Sequence, residues 1–182
     1  MTNRNPEIIV RRLQKTSITP GLMSEFAHKQ MITRKWVKRN DVWEITDASL
    51  LREWSAEKRI WITEYMLRQT DRGGIVLGAY CREQLTGFCC VDGVISGESA
   101  KYANLTMLFV DDRRKRCGIG RLLFREARRC ALTMGAEKLF ISAIPSAETI
   151  AFYQNMGCTD ANEIIESFVD SEDDRPLEIP TR

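Results

Sequence analysis

A chain of 182 residues with 43% hydrophobic content is long enough to bury a full core, and its length favours one domain over residues 1–182. No apolar run approaches the roughly 20 residues of a membrane helix, and the opening MTNRNPEIIVRR has no apolar export core, so a cytoplasmic protein with no membrane partner is expected. Net charge is only +2 but unevenly spread: residues 158–182 hold eight acids against two arginines, a local −6 that leaves +8 on the rest.

Glu7–Leu13 reads as a first strand, and Pro20 opens a helical stretch with Leu22, Met23 and Phe26 on one face. Lys35–Ile45 places aromatic and β-branched residues either side of Asn40-Asp41, the pattern of a short hairpin. Ser55 caps a helix running to about Gln69, with Glu57 in its first turn and Gly73-Gly74 beyond its end. Three strands follow as a meander, Ile75–Cys81, Leu85–Val94 and Tyr102–Val110, turning at Glu83-Gln84 and at Ser96-Gly97-Glu98. After Gly120, apolar Leu122, Leu123, Ala127, Cys130, Ala131 and Met134 fall on one helical stripe, which Gly135 terminates. Leu139–Ala143 is a short buried strand, Pro145-Ser146 starts a helix that stops at Gly157, and Ile164–Val169 with Leu177–Ile179 read as a closing β pair. The expected order is β-α-α-β-β-β-α-β-α-β-β, an α/β (α+β) chain with a parallel crossover over residues 102–143.

The six cysteines form no C-x-x-C pair, and four sit within apolar patterns. Buried free thiols are expected, with Cys117 the exposed one. The lone histidine, His28, stands beside no nucleophile motif, which excludes Ser-His-Asp and Cys-His chemistry and gives no reason to assign it catalysis. Histidines, cysteines and carboxylates do not occur at ligand spacing, so no metal is expected.

The most informative stretch is Leu105–Arg121, LTMLFVDDRRKRCGIGR. An apolar strand passes through a charged turn into Gly118-Ile119-Gly120 and then a helix. Glycines let backbone N–H groups approach a diphosphate closely, and the helix N-terminus favours its negative charge. A dinucleotide fold fits poorly: Leu123 stands where G-x-G-x-x-G requires its third glycine, and no acid closes a second strand about 20 residues on.

The run Lys115–Gly120 resembles the pyrophosphate loop of the GNAT (GCN5-related) N-acetyltransferases, Gln/Arg-x-x-Gly-x-Gly/Ala, with Lys115 in place of the Gln/Arg. Ser146–Cys158, SAETIAFYQNMGC, is similar to the family's N-x-x-A…F-Y-x-x-x-G-F segment. The resemblance implies a GNAT-like acyl-CoA acyltransferase fold: a mixed central sheet splayed between two parallel strands, here Leu105–Val110 and Leu139–Ala143, and flanked by helices. It implies acetyl-CoA as acyl donor, with main-chain contacts from Leu108, Phe109 and Val110, and an oxyanion-binding N–H on the same strand. Arg116, Cys117, Gly118, Ile119, Gly120 and Arg121 wrap the pyrophosphate. Tyr153 protonates the departing thiolate, and Ser146, where relatives carry Asn, is a weaker cofactor contact.

The implied activity is acyl-CoA-dependent N-acyl transfer, acetyl to the primary amine of a small molecule by direct attack. The usual glutamate bases are missing, since Met107 and Ile141 occupy their positions; two routes stay open, proton removal through water to Asp92, Glu98 or a C-terminal acid, or an amine that arrives neutral. Trp36 and Trp43, on the hairpin, are expected to wall the acceptor pocket and Trp54 and Trp61 to pack the core, while the acidic C-terminal stretch draws in a cationic amine. Open alternatives are a CoA-binding sensor of the same fold and a protein or peptide N-acetyltransferase. The basic turn Arg113–Arg116 lacks interleaved aromatics, so no nucleic-acid partner is expected. The chain is expected to act as a monomer or homodimer.

Overall fold

A computed structural model of the chain describes residues 7–182, so the first six positions of the stretch read for an export signal lie outside the described residues. The strands are β1 (Ile8–Arg12), β2 (Lys29–Arg39), β3 (Val42–Glu53), β4 (Ile75–Cys81), β5 (Gln84–Ser96), β6 (Tyr102–Val110), β7 (Lys138–Ala143), β8 (Thr159–Asp160) and β9 (Arg175–Pro180); the helices are α1 (Ala56–Asp71), α2 (Ile119–Thr133) and α3 (Ala147–Asn155). Seven strands form one mixed sheet in the order β1-β4-β5-β6-β7-β9-β8, and β2 and β3 form a separate hairpin. Every pairing is antiparallel except β6 with β7, which α2 connects as a crossover.

The sheet is covered on both faces, which is why β4 reads as an uninterrupted apolar run buried at all seven positions. Ile75, Leu77 and Ala79 face one way, into a core shared with Leu123 and Phe124 of α2 and Ile150 and Tyr153 of α3. Val76 and Tyr80 face the other, toward Ile62 and Met66 of α1. The period-2 alternation of the strand thus divides one run of side chains between two cores.

The hairpin is longer than the pattern suggested: pairing runs from Lys29↔Glu53 to Arg39↔Val42. Asn40 and Asp41 do form its turn, both at positive φ (48° and 62°), as a two-residue turn matched to strand twist requires. Two sequence expectations are corrected. Residues 20–26 are not an α-helix but a series of tight turns, with Leu22, Ser24 and Phe26 donating to carbonyls three residues back. A segment this short, opened by Pro20-Gly21, cannot repay helix nucleation, and Met23 and Phe26 are buried from turns instead. The closing pair is β8 with β9, not Ile164–Val169, which holds a single 3₁₀ turn at Glu166–Phe168. Ile165 and Phe168, three apart, both sink into a pocket with Tyr102 and Phe140. That spacing suits a 3₁₀ turn and not a strand.

The feature that positions the site is the parting of β6 from β7. They pair only through Tyr102↔Lys138, Ala103↔Leu139 and Asn104↔Phe140. Just beyond, the β5–β6 register slips between Cys90↔Met107 and Val91↔Leu105, leaving Thr106 as an extra residue in β6. A bulge of this kind bends and twists its strand. From Leu105 onward β6 has no strand partner on its β7 side among the described residues.

Candidate functional site

The gap between the two strands is the floor of a cleft of about 1170 Å³, lined by Leu105–Val110 of β6 and by Ile141–Ala143 of β7. Unpaired strand edges leave backbone N–H and C=O groups facing this space, and such groups seek an external partner. Leu108, Phe109 and Val110 therefore lie together on the wall, as the splay implied by the family resemblance requires.

At one end the cleft meets the glycine loop. Gly118, the residue before α2, holds φ 79°, a left-handed conformation that glycine takes without strain, and it offers no side-chain cap. The first intrahelical bond is Leu122 N–H to the Gly118 carbonyl, so the N–H groups of Ile119, Gly120 and Arg121 have no helical acceptor. Arg116, Gly118, Ile119, Gly120 and Arg121 all line the cleft. Asp111 holds Arg113 and Asp112 pairs with Lys115, whereas Arg116 and Arg121 make no ion pair among the described residues. Three free N–H donors and two uncommitted guanidinium groups thus face one space, an arrangement fit for a diphosphate. Cys117 is exposed but is not part of the wall; its thiol turns to the Lys115 carbonyl.

At the opposite side of β6 the wall is aromatic. Trp54, Trp61, Tyr65, Phe109 and His28 line it, with Trp54 and Phe109 4.7 Å apart edge to face. Met107 and Ile141 line the cleft as well, and neither can accept a proton. Asp92 and Glu98 are not on its wall: Asp92 is engaged by Gln69 Nε2 (3.2 Å) and the Val94 N–H (2.8 Å). The carboxylates that do reach it are Glu148, Asp170 and Asp174. Ser142 of β7 ties the last two together, donating to Asp174 (2.8 Å) and accepting from the Asp170 N–H (3.0 Å). Burial pushes both carboxyl groups above the usual range, and the Asp174 charge pushes Asp170 further, while the Ser142 bond and Arg52 hold Asp174 back.

Trp54 packs the core as expected, and the other three tryptophans depart from expectation. Trp61 is 41% exposed on the cleft instead of core-packed, and Trp54 is both buried and part of the wall. Trp36 and Trp43 sandwich the guanidinium of Arg175 at 4.7 and 5.1 Å. Arg175 is in turn held by Asp160 at 2.6 and 2.9 Å. This clamp, with the Trp36 N–H bonded to the Pro145 carbonyl, pins the hairpin to the sheet. Of the hairpin, the base reaches the cleft, through Lys29, Gln30, Met31 and Arg52.

Tyr153, on α3, lines the cleft and packs against Phe124 and Phe152 at 5.6 and 5.1 Å. Burial raises its pKa, so the phenol keeps its proton. Ser146 is fully enclosed and is not part of the wall. Its hydroxyl accepts from the Thr149 N–H (3.1 Å) and from Gln30 (3.1 Å) and donates to the Thr149 hydroxyl (2.8 Å). That is the work of an N-cap. Ser146→Ala is expected to lower unfolding free energy by about 1 kcal/mol, read from urea denaturation, with acetyl-CoA affinity unchanged. Among the described residues no three His, Cys, Asp or Glu side chains converge as metal ligands, and no helix is long and apolar enough to cross a membrane.

Comparison with known proteins agrees with this geometry. Residues 72–157 match the acetyltransferase (GNAT) domain family. No curated protein sequence matches the chain. Among solved structures it is similar to nourseothricin acetyltransferase, at 16% identity and TM-score 0.69, covering 96% of this chain and 99% of that one. It is also similar to a streptothricin acetyltransferase from Bacillus anthracis str. Ames, described as putative and solved with acetyl coenzyme A: 15% identity, TM-score 0.62, 94% and 97% covered. The ribosomal-protein-S18-alanine N-acetyltransferase from Escherichia coli matches at 17% identity and TM-score 0.58 over 96% and 94%. The chain carries a GNAT acetyltransferase domain match across β4 to α3 and has the GNAT fold along its length.

Proposed function

We propose that this chain, a GNAT-family protein by domain match and fold, transfers the acetyl group of acetyl-CoA to the primary amine of a small cationic molecule. The observation that carries the reading is the parting of β6 from β7, which opens an unpaired strand edge directly onto the uncapped N-terminus of α2. Pantetheine amides pair with the edge at Leu108, Phe109 and Val110, as an added strand would. The pyrophosphate sits on the N–H groups of the Cys117–Arg121 loop, with Arg116 and Arg121 supplying charge. A β6 N–H meets the thioester oxygen as negative charge develops there. The amine nitrogen, having lost a proton, bonds to the carbonyl carbon as the C–S bond breaks; Tyr153 gives its proton to the thiolate, and the second proton of the acylated nitrogen leaves through solvent to restore the phenol.

The cleft also supports the acceptor class. Its loop end is cationic, and beyond the aromatic wall stand Asp170 and Asp174, which attract an ammonium group. The hairpin, pinned by the Arg175 clamp, closes one side, which suits a small molecule better than a protein segment. Two of these structural neighbours are named for small molecules and one for a ribosomal protein, so their names do not decide the class; the acidic pair on the cleft wall and the hairpin beside it support a small amine. The reading takes residues 1–182 as one domain, monomeric or homodimeric, in the cytoplasm, where its free thiols persist.

The test is release of CoA thiol from acetyl-CoA in the presence of polyamines, aminoglycosides, streptothricin-class antibiotics, amino acids and N-terminal peptides. A small basic amine should be the best acceptor. Thiol release with peptides alone would reject the acceptor class, and release with none of them would favour a CoA-binding sensor.

Asp174→Asn carries a further prediction. A carboxyl group with raised pKa holds its proton in the folded state where the unfolded chain has lost it, so stability falls as pH rises through that window. The amide should therefore be more stable than wild type at neutral pH, by thermal unfolding, while KM for the cationic acceptor rises. A stabilised variant with unchanged KM would leave the acidic pair without a binding role.

A further inference from the structure

We propose that His28 is the general base that takes the proton from the acceptor amine, a role that rests on the acetyl-transfer reading above. The cleft places no ionisable group at the two positions where the family resemblance leads one to expect a glutamate, and His28 stands on the wall of the same cleft from a different part of the chain.

His28 is 8% exposed, and its ring is held between Trp54 (4.4 Å) and the edge of Phe109 (5.1 Å). Backbone bonds fix the segment against the end of β6: the Ala27 N–H donates to Asp111 (3.1 Å), the Asp112 N–H to the Ala27 carbonyl (3.0 Å), and the Trp54 N–H to the His28 carbonyl (3.1 Å). The ring is therefore placed with the precision of β6 itself, the strand assigned to the thioester. Yet its nitrogens are idle. Nδ1 is enclosed with no hydrogen-bond partner, and Nε2 bonds to no protein atom among the described residues without being sealed in the same way. A packed imidazole that satisfies neither nitrogen is unusual for a core residue, where polar atoms find partners, and ordinary for one whose partner is a substrate.

Burial lowers the pKa of His28 from the ordinary 6.5, so near neutral pH the ring is uncharged and has a lone pair to offer. The charged groups facing it are Asp112 and Lys115 from the turn after β6 and Arg52 from β3; Asp112 opposes the shift and the two cations add to it. From α1, Arg59 is turned to the Phe26 carbonyl (2.9 Å) and Lys58 lies over the Trp61 ring (3.7 Å). The step balances within the site. The ammonium gives one proton to His28, which passes it to solvent, and the freed nitrogen lone pair forms the C–N bond as the C–S bond breaks; Tyr153 protonates the thiolate, and the second proton of the acylated nitrogen leaves through His28 and solvent to restore the phenol, so one proton is released per amide formed. Asp170 and Asp174, which line the same cleft, draw in the cationic acceptor; His28 deprotonates its reacting nitrogen.

The experiment compares wild type, His28→Gln and Asp174→Asn with acetyl-CoA and the best small amine of the thiol-release panel. His28→Gln should lower kcat by about 10²-fold, leave acetyl-CoA affinity unchanged by calorimetry, and abolish the acid limb of the kcat/KM–pH profile. That limb should lie below 6.5 in wild type and survive in Asp174→Asn, whose effect is on KM. His28→Ala, which opens a space of imidazole size, should regain turnover when imidazole is added. Because the chain contains one histidine, its ring resonances give an unassisted titration, and its midpoint should match the acid limb. Wild-type kcat with the acid limb intact in His28→Gln overturns the role alone. Absence of thiol release by wild type with every amine overturns it together with the acetyl-transfer reading.

Discussion

Gly120→Asp is expected to weaken acetyl-CoA binding by two to three orders of magnitude while leaving the apoprotein folded. The two effects separate because the same carboxylate meets the ligand and the helix with opposite sign. Gly120 is the second residue of α2, at negative φ, and a Cβ there would meet the Phe152 ring at 3.4 Å and Val110 at 3.6 Å, ordinary van der Waals distances. An acid in the first turn complements the helix dipole by about 0.3–1 kcal/mol. Opposite a bound diphosphate it is repelled: two like charges ~4 Å apart at an effective dielectric of ~20 cost about 4 kcal/mol, or nearly 10³-fold. It also intrudes on N–H donors that the phosphate needs. Thermal unfolding should show a midpoint at or above wild type, and calorimetry a large loss of affinity. A folded variant with wild-type affinity would remove the glycine loop as the cofactor site.

The parts of the fold legible in the sequence are those whose pattern is local. Ile75–Cys81 reads as a strand because it is one apolar run, buried at all seven positions, and Asn40-Asp41 marks the turn of the β2–β3 hairpin because both residues tolerate positive φ. The α2 stripe is legible for the same reason: Leu123, Ala127 and Ala131 recur at helical spacing and all are buried. The glycine loop, the splayed strands and Tyr153 converge on one cleft as the two motifs together suggest. What escaped depends on partners distant in sequence. Nothing near Trp36 and Trp43 announces Arg175, which removes them from the acceptor wall. Ile164–Val169 has the composition of a strand, but Tyr102 and Phe140 offer a socket that two residues at spacing three fill better.

His28 is the sharpest case. Its neighbours Phe26-Ala27-His28-Lys29 contain no catalytic pattern, and they contain none in the structure. What gives the residue a role is the juxtaposition with Trp54 and Phe109, brought in by β3 and β6. Its one sequence signal was negative: with Met107 and Ile141 in the acid positions, a base has to arrive from elsewhere.

Tyr153→Phe should lower kcat by roughly 10²–10⁴-fold without changing acetyl-CoA affinity and without destabilising the protein. The structural half of this prediction follows from what the hydroxyl lacks. It makes no hydrogen bond to the protein among the described residues, so its removal strands no partner, and the ring contacts with Phe124 and Phe152 are kept by phenylalanine. The chemical half follows from burial, which raises the phenol pKa and keeps it protonated at any working pH, an acid that gives up its proton only to a strong base beside it. The departing thiolate is the base that forms beside it as the C–S bond breaks, and burial in the same cleft raises its basicity too. A Phe variant therefore binds the donor normally and stalls as the C–S bond breaks. Single-turnover measurement is the right readout, because slow product release would hide a loss in chemistry. Single-turnover rates within about threefold of wild type would mean that the thiolate leaves unprotonated or takes its proton from solvent, and Tyr153 would then be a packing residue of the α2–α3 core.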